Sequence, residues 1–198
     1  MNIFGSPSKL DIILVRAGST DLDDQGRIMG ALDLPLSSHG EDEARQSALE
    51  LTEYDLEAIY AASCLAAQQT AQILSHNGEV RVRVEENLTN LNHGLWHGKS
   101  LEELKETQPK LFRQWQENPE SICPPGGETI EDVRKRVAVT LKKIRKKFKC
   151  GMVAIVAPEP LYSVIRSEVE DSAIEEQPHL KQPHLRWETM EIPANAMQ

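Results

Sequence analysis

Arg16 is the residue whose type and setting point most directly to chemistry on an anion. It closes the apolar run Leu10–Arg16 (LDIILVR) and opens the polar segment Ala17-Gly18-Ser19-Thr20. A guanidinium at such a strand end offers a rigid fork of donors for phosphate or carboxylate oxygens. An ion pair with Asp23 or another carboxylate is the plainer reading, because structural ion pairs fill such positions as readily as ligands do. His93 and His97 stand four apart, a spacing that suits a metal on a helix. Gly94 and Gly98 put them on a turn instead, no H-E-x-x-H pattern surrounds them, and a metal needs three or four ligands.

Two other groups of residues carry less. The basic run KKIRKK, Lys142–Lys147, ends a helical stretch whose Val133, Val137, Leu141, Ile144 and Phe148 mark a core face. Cations at a helix C-terminus complement the macrodipole, so a solvated face is the simpler account than a nucleic-acid or lipid patch. Cys64, Cys123 and Cys150 are odd in number and irregularly spaced, which fits neither a disulfide framework nor a zinc pattern and suggests a reducing compartment.

The elements that position these residues follow from hydrophobic period. Leu10–Arg16, Leu56–Ala62 and Gly151–Ala157 are continuous apolar runs, read as buried strands, and Val80–Glu86 alternates as a half-exposed one. Helices are expected over His39–Tyr54, Leu65–His76 with a stop at Asn77-Gly78, Ser100–Thr107, Pro109–Glu117, Thr129–Lys149 and Pro160–Glu170. Ser100 opens an S-x-x-E capping box. Alternating buried strands and amphipathic helices imply a three-layer α/β/α sandwich with a mainly parallel central sheet. Sites in such sheets lie beyond the carboxyl ends of the strands. Here those ends are Arg16–Thr20, Ala62–Ala66 and Ala157–Pro160.

One domain is expected over residues 1–170 of the 198, with a tail over 171–198 that is acidic at Glu168–Glu176 and repeats QPHL at Gln177–Leu180 and Gln182–Leu185. The repeat reads as an extended linker, and Trp187–Ile192 as a segment able to add an edge strand. Hydrophobic residues at 39% suffice for a core, and a net charge of −9 disfavours general nucleic-acid or anionic-membrane binding. No apolar run approaches the roughly 20 residues needed to span a bilayer, and Met1–Lys9 does not read as a signal peptide. A cytoplasmic protein is expected.

Taken together, the strand ends resemble the histidine phosphatase superfamily, the group that includes cofactor-dependent phosphoglycerate mutase. Arg16-Ala17-Gly18-Ser19-Thr20 stands where the family has Arg-His-Gly-Glu-Thr. The resemblance continues through Gly26-Arg27-Ile28, Gly30, Leu32-Asp33, Pro35-Leu36 and Gly40, then Tyr60, Thr70 and Ala71. It resumes in the G-x-W-x-G turn of Gly94, Trp96 and Gly98, in Gly126-Gly127-Glu128-Thr129 with Arg136, and in Val153–Val156. The family transfers phosphoryl groups through a phosphohistidine, with two arginines and a second histidine holding the phosphoryl oxygens and a glutamate as acid. By this resemblance the nucleophile's position is Ala17, the second arginine's Ala66, the acid's Asn90 and the second histidine's Pro158. Asp23 replaces a pocket asparagine, and Arg16 alone remains to bind phosphate.

The resemblance with its missing side chains implies a non-catalytic pseudoenzyme, not an enzyme, serving as a binding or regulatory module. The alternatives are a weak phosphoesterase or phosphoglycerate mutase-like enzyme using a substitute residue, and a sensor of a phosphorylated ligand through Arg16. No cofactor and no metal is expected. The expected partner is a protein or a phosphorylated small molecule, not nucleic acid or membrane.

Overall fold

The computed structural model describes residues 9–76, 78–174 and 186–191. The QPHL repeat, Asn77 and the residues after Glu191 lie outside them.

Among the described residues, five strands form one sheet in the order β3-β2-β4-β1-β5: β1 Leu10–Arg16, β2 Ala58–Ala62, β3 Val82–Glu85, β4 Gly151–Ala157 and β5 Trp187–Glu191. The first four pair in parallel and β5 lies antiparallel to β1. The central strands are continuous β-branched and small apolar runs because both faces are covered. Ile12, Ile13, Leu14 and Val15 are all fully buried, as are Val153–Ala157. Each large side chain buried this way contributes about 1.5–3 kcal/mol.

Seven α-helices among the described residues accompany the sheet: α1 Asp21–Asp24, α2 Ser38–Glu50, α3 Leu65–Leu74, α4 Leu101–Thr107, α5 Pro109–Glu117, α6 Ile130–Lys147 and α7 Leu161–Glu170. α2 packs on α3 and α6 on α7, and α3 and α7 in turn pack on the strands, giving the expected α/β/α sandwich. Side-chain caps begin several of them. Ser37 accepts from Gly40 N at α2, Thr129 from Asp132 N at α6, and Ser100 with Glu103 closes the capping box of α4.

The sequence placed β1, β4 and α5 residue for residue and overran most other ends by one to four residues. The helix expected to reach Tyr54 stops at Glu50 and tightens into a 3₁₀ turn, Leu51–Glu53. The short α1 carries no buried residue, so no apolar period announces it. A separate aromatic cluster of Trp96, Phe112 and Trp115 packs α4 and α5 over Ile28, beside the main core.

Candidate functional site at the strand ends

Parallel register brings the predicted positions to one edge of the sheet. Arg16 pairs with Ala157, so the residues that follow, Ala17 and Pro158, leave the sheet side by side. Ala17 N donates to Ala157 O at 2.9 Å. Gly18 N donates to Thr70 Oγ1 at 3.0 Å, and that hydroxyl donates to Ala66 O at 2.8 Å, tying the first turn of α3 to the loop after β1. Asn90 joins from the loop after β3. Its Nδ2 donates to Gly30 O at 2.8 Å and to Glu159 O at 2.9 Å, and its Oδ1 accepts from Leu91 N and Leu161 N at 2.9 and 3.2 Å. Arg16, Ala17, Ala66, Asn90 and Pro158 therefore belong to one neighbourhood.

The charges there are largely committed to one another. Arg16 faces Glu43 of α2 at 3.6 Å, with 20% and 15% of the two side chains exposed. The Glu43 carboxylate also accepts from Ser19 N at 2.9 Å and from Ser19 Oγ at 2.8 Å. Asp23, expected to pair with Arg16 or to face a phosphate, instead closes α1. Its carboxylate accepts from Thr20 N and Thr20 Oγ1 at 2.8 and 2.7 Å. Burial nonetheless raises its pKa, partly offset by those bonds and by the Arg16 charge. The ion pair expected of Arg16 thus exists, but with a carboxylate from another element.

A further titratable group at this edge is Glu159, between Pro158 and Pro160 after β4. Burial pushes its carboxyl up to about 7, against the pull of its Ser163 hydrogen bond and the Arg16 charge. Ser163 Oγ donates to it at 2.9 Å. Cys64, at the start of α3, is no substitute nucleophile, since burial pushes its thiol up to about 11 and leaves little thiolate near neutrality.

Glycines set the backbone that carries these groups. A Cβ on Gly18 would lie 2.2 Å from Gly40 O, and one on Gly40 would lie 2.0 Å from Ser19 O, so the loop after β1 and the start of α2 meet backbone to backbone. Gly94 has φ +52, and a Cβ there would meet Pro125 O at 2.2 Å. His97, on that turn, accepts at Nε2 from Ala31 N at 3.2 Å and from His93 N at 3.1 Å. Burial lowers its pKa, which keeps that nitrogen an acceptor. Among the described residues, no group of three or more His, Cys, Asp and Glu side chains is arranged to hold a metal.

Two residues of this edge escaped sequence reasoning. Glu43 lies on a helix whose start was legible, but no local pattern says that its side chain reaches Arg16. Glu159 was visible only as part of a Pro-Glu-Pro loop. Its flanking prolines and the preceding buried strand are the signal that could have singled it out.

Comparison with known proteins bears on the whole chain. The family described as "Histidine phosphatase superfamily (branch 1)" matches residues 12–197. Phosphoserine phosphatase 1 of Hydrogenobacter thermophilus is 32% identical over 146 residues, covering 74% of this chain and 69% of that protein. Phosphoglycerate mutase-like protein 4 of Arabidopsis thaliana is 26% identical over 149 residues, covering 74% and 65%. Among solved structures, Bacillus stearothermophilus YhfR superposes with a TM-score of 0.77 at 25% identity, covering 88% of this chain and 85% of that one.

These relatives correct one expectation. The missing side chains pointed to a protein that is not an enzyme, whereas similar proteins such as the Hydrogenobacter thermophilus relative are named phosphatases and point to an enzyme. The physical reason is that a missing imidazole, expected from the resemblance at position 17, bears on the phosphohistidine route alone and leaves attack by water open. The chemistry of this edge must therefore be sought in the groups that are present, within a fold and a run of motifs that make the chain a member of the histidine phosphatase superfamily.

Proposed function

We propose that the chain is a slow phosphomonoester hydrolase in which water, not a histidine, attacks phosphorus. In this reading Ala17, Ala66, Asn90 and Pro158 occupy the family's nucleophile, second-arginine, acid and second-histidine positions. Arg16 anchors the phosphoryl oxygens and Glu159 is the base. The observation that carries it is the placement of Glu159 two residues beyond Ala157, the register partner of Arg16, with its backbone carbonyl held by Asn90 Nδ2 at 2.9 Å and its carboxylate by Ser163 Oγ at 2.9 Å; burial lifts that carboxyl to about 7. A general base is most effective when its pKa lies near the operating pH. Glu159 takes a proton from water, the water oxygen bonds to phosphorus, the ester P–O bond breaks, and the leaving alkoxide takes a proton from solvent.

The rate is low for a stated reason. At an effective dielectric near 20, Arg16 attracts a phosphate oxygen by about 4 kcal/mol, and Glu43 opposes much of this. Losing one member of a catalytic unit can cost up to about 10⁶ in turnover. Phosphoserine is the first substrate to try, because the relative from Hydrogenobacter thermophilus is named for it. A cytoplasmic setting suits the three free cysteines.

The test is release of inorganic phosphate from phosphoserine in ¹⁸O-water. The expected result is one labelled oxygen per phosphate, no acid-labile phosphoenzyme, and a rate that rises with pH to a plateau above about 7. Glu159→Gln abolishes the activity and Arg16→Ala weakens substrate binding. Phosphate release unchanged by Glu159→Gln overturns the proposal. So does a phosphoserine-dependent rise in melting temperature without any release, which would instead describe a sensor.

A further inference from the structure

Away from the strand ends, the most concentrated charge is basic and lies where α6 meets the edge strand β3. Lys142, Lys143, Lys146 and Lys147 line a shallow open groove along α6 itself with Val139, and Lys143 Nζ reaches across to Glu85 of β3 at 2.8 Å. Arg83 of β3 and Arg81 just before it belong to the strand that carries Glu85; the Lys147 pKa is lowered by burial first and then by the charges of Arg83, Arg81 and Lys143. The helix macrodipole accounts for cations in the last turn of α6. It does not account for two arginines brought in by another element.

Lys147 Nζ lies over the Phe148 ring, 5.4 Å from its centroid. Glu85 holds Lys143 at 2.8 Å. Among the described residues, no carboxylate lies within ion-pair distance of Arg81, Arg83, Lys142, Lys146 or Lys147, and the Nε of Arg83 is buried without a hydrogen-bond partner. Among the described residues β3 is the outermost strand on that side of the sheet, and no strand pairs with its outer backbone edge.

We propose that this groove docks an acidic, extended segment of a partner protein. The spacing is linear, because Lys142 and Lys146, like Lys143 and Lys147, are one helical turn apart and form two short rows beside the strand. Val139, 57% exposed, supplies an apolar contact within the groove. The rest of the chain selects for a short segment, since a net charge of −9 repels a long polyanion that extends beyond the local cations.

Fluorescence anisotropy of a labelled deca-glutamate peptide with the full chain tests this. Binding is expected to weaken at least tenfold in the Lys142→Glu, Lys146→Glu double variant and to stay unchanged in Lys110→Glu, whose lysine is equally exposed but elsewhere. Raising the salt should weaken it as well. Three results overturn the proposal: peptide binding unaltered by the double variant, tighter binding of a ten-nucleotide oligothymidylate or of phosphatidylserine vesicles, and self-association of the protein alone that the double variant abolishes.

Discussion

The carboxyl edge of the sheet and the basic face of α6 solve charge in opposite ways. At the edge, Arg16 is answered by Glu43, Asp23 by Thr20, Glu159 by Ser163, and Asn90 makes four hydrogen bonds to four backbone groups. Along α6 and the neighbouring strand β3, three lysines and two arginines have no carboxylate within ion-pair distance among the described residues. Closed circuits of this kind hold loops in register and resist an incoming ion. Open ones cost repulsion that an external anion relieves. A charged residue near a strand end is thus less informative about ligands than whether its charge is already spent.

The difference can be broken most forcefully at Asn90. Asn90→Leu removes every bond of the amide and strands Gly30 O, Glu159 O, Leu91 N and Leu161 N in a buried place. A loss of about 4 kcal/mol is expected. It should appear in thermal unfolding as a fall of roughly 8–16 °C.

Glu159→Gln works in the other direction. Burial lifts the folded carboxyl from 4.5 to about 7, so the native protein loses stability as the pH climbs through that window and stays at the lower level above it. Glutamine escapes the loss while keeping an acceptor for Ser163. The variant should be more stable than the parent by about 2 kcal/mol at pH 8 and no more stable near pH 4.5, read by urea unfolding at both. A Glu159 that is merely a surface carboxylate would show no such pH dependence.

Glu43→Gln keeps an acceptor for Ser19 but withdraws the charge facing Arg16. Inorganic phosphate should then bind about fivefold more tightly by calorimetry, ~1 kcal/mol. Unchanged affinity would mean that the edge does not spend Arg16 on Glu43. At the open face, the Lys142→Glu, Lys146→Glu double variant should alter folding stability by no more than about 0.5 kcal/mol, since neither lysine is paired. A larger loss would show that this face, too, is an internal circuit.

What was legible in the chain follows from the range of each interaction. The apolar runs of β1 and β4 announced their ends residue for residue, because burial on both faces leaves no ambiguity about period. The glycine and G-x-W-x-G motifs announced the family, because backbone turns are encoded locally. The partner of Arg16 was not legible. Asp23 is nearer in sequence than Glu43, but the Thr20 cap claims it, and only the packing of α2 brings Glu43 within reach. The same holds for Arg81 and Arg83, whose approach to α6 depends on sheet order. The missing side chains misled as to enzymatic activity, because an absent nucleophile rules out one route and says nothing of others.

The reciprocal contact of Gly18 and Gly40 has a mechanical consequence. With no side chain between them, the two backbones interlock, and the first turn of α2 cannot swing without dragging the end of β1 along. Glu43 rides on the same helix. A ligand that displaces Arg16 therefore pulls on a lever of helix about 20 Å long, and amide exchange along α2 would register an event at the strand tip.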